Sequence, residues 1–458
     1  MRNIAERLRP FLREMGAATP EFEDFYCQFD DALEARPAVL PFVFVLQITA
    51  FGSDCVGVQL IHSGDFERKP SRSYILMLGF VIGYTSLTLS THSTGSSLSC
   101  ITIPSAVMQR AAVFFFVLAV AMARNVYLGT YQSAPGGVMH LLQDEKTGEV
   151  TLKDVYPAIQ PSALALDPHN SSRLYDLSES KGTVGSWAKG SDGHLTRINI
   201  VKSGGDGPCH ISTHSSGKWI FAANYDSGHF ASFPVDATGK LGQANIVKPG
   251  KGSPSGKDNQ EGPHAHMIVE APNGLIAGVD LGSDAVFFWK LSSNGKLKLS
   301  KTWHAEVGTG PRHIVFHSKL QLAFVMSENA NNIHSFNYNG TELKTKQVIS
   351  TLPSDYKGAS HGAELRIHPN GGFLYATNRG HNSIAVFQID QTNGHLTLLD
   401  ITSSHGDFPR GMNLDPSARF LYVAGQNDNT FSTFTVQEDG KIQYQKTVKM
   451  EKVVDIAF

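Results

Sequence analysis

The strongest constraint on this chain is that it repeats itself. Six segments share one layout: a proline- or glycine-led start, a short strand, a tight turn and a second apolar strand. They are PSALALDP from Pro161, GPCHISTHSSG from Gly207, GPHAHMIVEAPNG from Gly262, GPRHIVFH from Gly310, HGAELRIHPNG from His361 and FPRGMNLDPSA from Phe408. Aligned on residues 161, 208, 263, 311, 362 and 409, they recur every 47 to 55 residues. WIFAANY, LIAGVDL, LAFVMSEN, FLYATNR and FLYVAGQ are second strands, SIAVFQID is a third and GHLTLLDI a fourth. Four antiparallel strands per repeat of this length predict an all-β propeller, in which each sheet buries its faces against its neighbours.

Six anchors give six blades. A seventh is predicted to be composite, with VYLGTY, GVMHLLQD and VTLKDVYPA from the start of the repeat region and VVDIAF, residues 453–458, as its innermost strand. Joining the two ends in one sheet closes the ring and removes free edges. The 335 residues after Ala123 then divide into seven blades of about 48 residues each.

Composition fits this reading and excludes others. With 43 Gly and 21 Pro the chain is rich in turns, and 39 basic against 41 acidic residues leave no basic stripe for nucleic acid. Cys27, Cys55, Cys100 and Cys209 show neither a CxxC pair nor Cys/His spacing, so no metal is implied. No G-x-G-x-x-G opens a helix after a strand, so no nucleotide or redox cofactor is expected.

Residues 1–107 lack the repeat. They are expected to be an extension that is poorly ordered or built of apolar helices, or an artefact of the gene model. Apolar runs at 39–50 and 74–89 are near or below the roughly 20 residues of a membrane span, and 91–105 reads as loop. Residues 108–123, MQRAAVFFFVLAVAMA, have the basic start, apolar stretch and A-x-A end of a secretory signal peptide. An internal membrane anchor is the alternative. The expected location is therefore secreted if the leader functions, and otherwise cytoplasmic or membrane-anchored. Membrane contact is expected only if the apolar segments are retained. Cleavage after Ala123 would leave Cys209 alone and make Asn170 and Asn339 glycosylation acceptors. The propeller domain is read as 124–458.

In an antiparallel hairpin the start of one strand and the end of the next share a rim. Arg312 and Glu328 are therefore predicted to meet. The same register brings His210, His264, Arg312, His313, Glu364 and Arg410 to a central pocket from the first strands. From the second-strand ends it brings Glu179, Asn224, Tyr225, Asp280, Glu328, Asn378, Arg379 and Gln426. A purely structural repeat would keep one residue type there. For any single residue the competing role is a hydrogen bond between blades. Three arginines among carboxylates point to a small, anionic, oxygen-rich ligand.

These motifs carry a resemblance. Residues 125–458 resemble the seven-bladed lactonase family, which includes propeller-type 6-phosphogluconolactonases and fungal carboxy-cis,cis-muconate cyclases. The similar stretches are YLGTY, GPCHIS with AANY, GPHAH, GPRH with SENANN, LRIHPNGGFLYATNRGHNSIAVF and FPRGMNLDPSARFLYVAGQ. The resemblance implies hydrolysis of a sugar lactone, foremost 6-phosphogluconolactone to 6-phosphogluconate, without cofactor. It carries the family's catalytic cluster onto His264, Arg312, Glu328 and Arg379, from its P-H, P-R-H, E-N and N-R motifs. Blade one departs: LYDLSES keeps Glu179 but has Ser178 where the family more usually has Asn.

On this reading His264 is the base and Arg312 holds the oxyanion. Glu328 orients His264 or Arg312, or shuttles the proton. Arg379 and Arg410 bind a substrate anion, and His210, Asn224, Tyr225, Asp280, His313, Glu364 and Gln426 contact substrate. Two alternatives stand beside it: a cycloisomerase on a muconate-like diacid, and a non-enzymatic propeller that binds a ligand or a protein. Arg312, Glu328 and Arg379 do not recur in every blade, which favours the enzyme.

Overall fold

The computed structural model describes residues 123–132, 136–168, 170–339 and 343–458, together with the backbone of four earlier strands. Two compact units result, Met1–Met122 and Ala123–Phe458.

In the first unit, strands Phe44–Phe51, Cys55–His62, Ser86–Ser93 and Ser96–Pro104 form one sheet in that order. Two antiparallel hairpins are joined by parallel pairing of Cys55–His62 with Ser86–Ser93. Within these strands the expected loop at 91–105 and the described ends of the apolar runs are extended; residues 39–43 and 74–85 lie outside the described residues. Leu87 and Leu89 alternate with Ser and Thr, a period of two that suits a strand. Residues 108–122 of the expected signal peptide lie outside the described residues.

The second unit is a seven-bladed propeller of four-stranded antiparallel sheets. Blades 1 to 6 begin with the innermost strands Pro161–Leu166, Pro208–Thr213, Ala265–Glu270, Pro311–Phe316, His361–Ile367 and Pro409–Leu414. Blade 7 is composite as predicted: Val453–Ala457 pairs with Ala123–Thr130, followed by Gly137–Asp144 and Val150–Pro157. Each innermost strand packs beside the next, and that of blade 7 returns to blade 1.

Apolar density along the chain follows from this stacking. Second strands are covered on both faces, so they are continuously buried, as in Leu322–Ser327. Leu322, Phe324 and Met326 of blade 4 pack with Leu374, Ala376 and Phe387 of blade 5. The outermost strands face solvent and are mostly exposed, as in Val150–Pro157.

Every innermost strand carries a β-bulge at the same level. Pairing slips between Pro161 and Ala163, Pro208 and His210, Ala265 and Met267, Pro311 and His313, Gly362 and Leu365, Pro409 and Gly411, and Val453 and Asp455. A bulge leaves an extra residue outside the ladder and re-aims its side chain. The residues so released include Cys209, His266, Arg312, Glu364 and Arg410. Strict alternation would send only one of Arg312 and His313 to the axis, yet both line the central cavity.

Closure of the ring rests on the last strand, where Val453 and Ile456 are buried. Ile456→Ala is expected to cost about 2–5 kcal/mol in urea unfolding. Ile246→Ala, at a residue 50% exposed, should stay within about 0.5 kcal/mol. Equal effects would contradict the assigned clasp.

Candidate active site

Backbone bonds at the hairpin rims set the stage. The residue just past each second strand donates its N–H to the turn before the innermost strand: Tyr225 to Gly207, Glu328 to Gly310 and Tyr131 to Lys452, at 2.7, 2.7 and 2.9 Å. Gly310 has φ 66°, and a Cβ there would lie 2.7 Å from the Asn329 side chain, so glycine is needed. The Glu328 carbonyl also accepts from Gly362 N of the next blade at 2.9 Å. A Cβ on Gly362 would lie 2.5 Å from the Ser327 carbonyl. Glycine thus allows the two blades to approach where Glu328 is held.

Arg312 and Glu328 meet as predicted, Nε to Oε2 at 3.1 Å. The same Oε2 takes Arg379 at 2.6 Å. Burial alone would raise the Glu328 pKa, but the charges of Arg379 and Arg312 hold it below the ordinary value. Burial, reinforced by Arg379 and Arg410, brings Arg312 down to about 9, which leaves it charged at neutral pH. Arg379 is further fixed by a bond to the Gly362 carbonyl at 2.9 Å and by the Phe408 ring 5.1 Å away. Glu328 therefore orients Arg312 and Arg379.

His264 is presented by its neighbours. Its backbone N–H donates to Asp280 at 2.8 Å, and its ring stacks on Tyr225 at 4.5 Å. Nδ1 lies 3.1 Å from the Tyr225 carbonyl, which only accepts. In the neutral ring the proton therefore sits on Nδ1, and Nε2 is turned towards Glu261 Oε1 at 3.6 Å. Nε2 is buried without a hydrogen-bond partner among the described residues.

Arg410 differs from the other two arginines. Among the described residues it has no hydrogen-bond or ion-pair partner; its guanidinium carbon faces the Tyr131 ring at 5.2 Å. The Tyr131 hydroxyl donates to Glu179 at 2.8 Å.

A cavity of about 750 Å³ runs along the axis below this rim. Arg312, Arg410, His210, His313 and Glu364 line it, as predicted, with His266 and Arg366. It opens towards Glu270 and Phe458 at the other end of the innermost strands. His264, Glu328 and Arg379 are not part of its wall; Arg312 and Arg410 separate the rim from the cavity.

Two expected substrate contacts, Asn224 and Asp280, bond the nearby backbone, and each has one buried oxygen with no partner among the described residues. Asn224 bonds the Ser203 and His229 carbonyls at 3.3 and 3.2 Å, which ties strand ends together. Asp280 accepts from His264 N and Ser283 N, a backbone support. Asn378, read as pocket-facing, likewise bonds Thr351 and Ser383. Short amides and carboxylates at a strand end satisfy local backbone groups, and that need prevails here. Gln426 is half-buried at the rim, its N–H bonded to the Phe408 carbonyl.

The sequence reading missed Tyr131, His266, Arg366 and Phe408. Tyr131 was legible, because it ends YLGTY at the register of Tyr225 and Glu328. His266 was not, because it is released by a bulge. The Cys209 thiol, also at a bulge, is pushed up by burial and points to the Ala265 and His266 carbonyls, so it is not a nucleophile.

With this geometry in hand, the sequence match decides the family: residues 125–458 match Lactonase, 7-bladed beta-propeller. The chain belongs to the seven-bladed β-propeller lactonase family. It is a lactone-hydrolysing enzyme. Among similar proteins, a 6-phosphogluconolactonase of Bacillus subtilis is 33% identical over 67% of this chain and 90% of its own. A 6-phosphogluconolactonase of Formosa agariphila is 33% identical over 69% of this chain and 94% of its own. The solved Pseudomonas aeruginosa periplasmic gluconolactonase, PpgL, has a TM-score of 0.69 at 25% identity, covering 73% of this chain and 98% of its own. Family membership sets aside the non-enzymatic propeller.

The buried histidines of this lactonase make its stability depend on pH. Burial, with the charge of His313, depresses His210 to about 3, burial depresses His313 to about 4 against Glu364, and His266 also lies well below normal. Each is a base with a lowered folded pKa, so the unfolded chain binds more protons below about pH 6.5 and stability is lost as pH falls. Burial raises Asp280 and Asp455 to about 6, and they act oppositely between about pH 4 and 6. His210→Gln isolates one histidine. Its unfolding free energy should lose less between pH 7 and 5 than the wild type's, with a slope shallower by up to about 1.4 kcal/mol per pH unit. An unchanged slope would show that His210 titrates alike in the folded and unfolded chain, against its burial-lowered pKa.

Proposed function

We propose that the enzyme opens 6-phosphogluconolactone to 6-phosphogluconate at the rim formed by His264, Arg312, Glu328 and Arg379. The observation that carries the substrate assignment is the guanidinium of Arg410, which has no hydrogen-bond or ion-pair partner among the described residues. Arg312 and Arg379 are both committed to Glu328, whereas Arg410 has donors to spare. A phosphate is the ligand that such a fork best satisfies. The names of the Bacillus subtilis and Formosa agariphila relatives support the same substrate.

The chemistry follows from the donor set. Water adds to the lactone carbonyl carbon while His264 Nε2 takes one of its protons. Negative charge moves to the carbonyl oxygen, where Arg312 stabilises it. The ring C–O bond then breaks, and the leaving alkoxide takes the proton from His264. The new carboxyl group loses its remaining proton to solvent and leaves as the carboxylate. Glu328, kept ionised by two arginines, holds Arg312 in place and is a poor proton acceptor.

A second substrate has its own support. Residues 108–123 have the layout of a secretory leader, and the Pseudomonas aeruginosa relative is described as periplasmic. An enzyme outside the cytoplasm would meet unphosphorylated gluconolactone.

Hydrolysis of both lactones by the purified full-length chain, corrected for spontaneous opening, tests these readings. Arg312→Ala should lower kcat about a hundredfold or more on either lactone. Arg410→Met should raise KM for the phosphorylated lactone about ten- to a hundredfold and leave gluconolactone kinetics close to wild type. Equal effects of Arg410→Met on both would remove the phosphate role. Absence of turnover on both lactones by folded enzyme would overturn the sugar-lactone reading and favour the muconate-type reaction.

A further inference from the structure

Arg312 is gripped from two sides, and one grip is not part of the rim. Its Nε faces Glu328, while its Nη1 lies 3.2 Å from Nε2 of His313 in the cavity below. His313 Nδ1 in turn lies 2.8 Å from Glu364 Oε1. That oxygen also accepts from Leu365 N at 3.1 Å and from Arg366 Nη1. Arg366 is itself fixed by Asn413 at 3.3 Å.

Donor and acceptor chemistry allows one arrangement of this chain. An arginine only donates, so His313 Nε2 must accept from Arg312. The ring proton is then on Nδ1 and is donated to Glu364. Protonation of Nε2 would turn an N–H towards the guanidinium and break the contact. The surroundings keep the ring neutral. His313 is 7% exposed, with Arg312 beside it and the His266 and His210 rings 5.1 and 5.9 Å away. Among the described residues Glu364 is the carboxylate bonded to it, and Arg366 shares that carboxylate.

We propose that Glu364 and His313 are positioning residues for lactone opening, which fix the Arg312 guanidinium so that its free edge meets the developing oxyanion. This rests on the reading of Arg312 as the oxyanion donor. It changes the role expected for His313 and Glu364 from substrate contact to support. The bulge explains how they come to work together. Released from the ladder, Arg312 has no paired residue on the second strand, while His313 re-enters the ladder opposite Met326. The ion pair with Glu328 holds the guanidinium as a charge, and the contact of Nη1 with His313 Nε2 gives it a direction. Misplacement of such a group by about 1 Å can cost on the order of a hundredfold in rate.

Conservative variants of the intact chain separate the two bonds of His313. The Asn amide in His313→Asn mimics Nδ1–H and keeps the donor to Glu364, but loses the acceptor for Arg312. The Gln oxygen in His313→Gln falls near Nε2 and keeps that acceptor. His313→Asn is expected to lower kcat about ten- to a hundredfold with KM within about twofold, and His313→Gln to recover most of the loss. Glu364→Gln should give an intermediate loss of kcat. Guanidinium added to Arg312→Ala provides the second readout, because a positioned cation should restore turnover better when His313 is present than in Arg312→Ala/His313→Asn.

Wild-type kcat in His313→Asn beside an inactive Arg312→Ala would overturn the positioning role and leave Arg312 as the oxyanion donor. A raised KM with unchanged kcat would also overturn it, by making His313 a substrate contact. Full activity of Arg312→Ala would remove both the oxyanion assignment and the inference built on it. Should His313→Asn fail to fold, Glu364→Gln and the guanidinium titration in Arg312→Ala/Glu364→Gln decide the same question: equal rescue with and without Glu364 would refute the chain.

Discussion

The site depends on one carboxylate shared by two guanidinium groups. Glu328 Oε2 meets Arg312 at 3.1 Å and Arg379 at 2.6 Å, both arginines being almost fully buried. A buried charge is tolerated when it is paired and hydrogen-bonded. Two cations against one anion leave positive charge over at Glu328, while Arg410 across the rim is offset by the charge of Glu179. That excess is relieved by negative charge that arrives or develops there: a phosphate, a carboxylate or the oxyanion of a tetrahedral intermediate. The arrangement costs little reorganisation during the reaction, since the donors are already in place.

The propeller supplies the rigidity that this requires. Seven sheets stacked in a ring leave each innermost strand held by its own blade and by two neighbours. The bulges at one level release chemically different residues towards the axis while the ladder around them remains intact. Backbone bonds such as Glu328 N to Gly310 O, and Gly362 N to Glu328 O, fix the rim before any side chain acts. The functional groups thus sit on strand ends and tight turns of a closed scaffold, which suits precise placement.

The sequence made the fold legible because the repeat recurs in register and because its ends complement each other. VVDIAF at the C-terminus had no partner within its own repeat, and the strand from Ala123 lacked an inner neighbour, so a composite blade followed. Arg312 and Glu328 were legible as a pair from hairpin geometry, and Tyr131 should have been. What remained hidden was set by local backbone detail. Period-two alternation does not show a bulge, so His266 went unnoticed. Asn224 and Asp280 are polar residues at strand ends, and only their hydrogen-bond partners distinguish a backbone tie from a ligand contact. In the earlier unit the described parts of the apolar runs are strands, and in one of them Ser and Thr around Leu87 and Leu89 carry the period of a sheet.

A crystal structure of the full-length enzyme with a lactam analogue of gluconolactone tests the central claim most directly. The lactam carbonyl oxygen should lie within hydrogen-bond reach of the Arg312 guanidinium, about 2.7–3.1 Å, with His264 Nε2 facing the carbonyl carbon across the space of one water. A ligand seated in the axial cavity beside Glu364 and Arg366, remote from His264 and Glu328, would contradict it and move the reaction to the other side of Arg312.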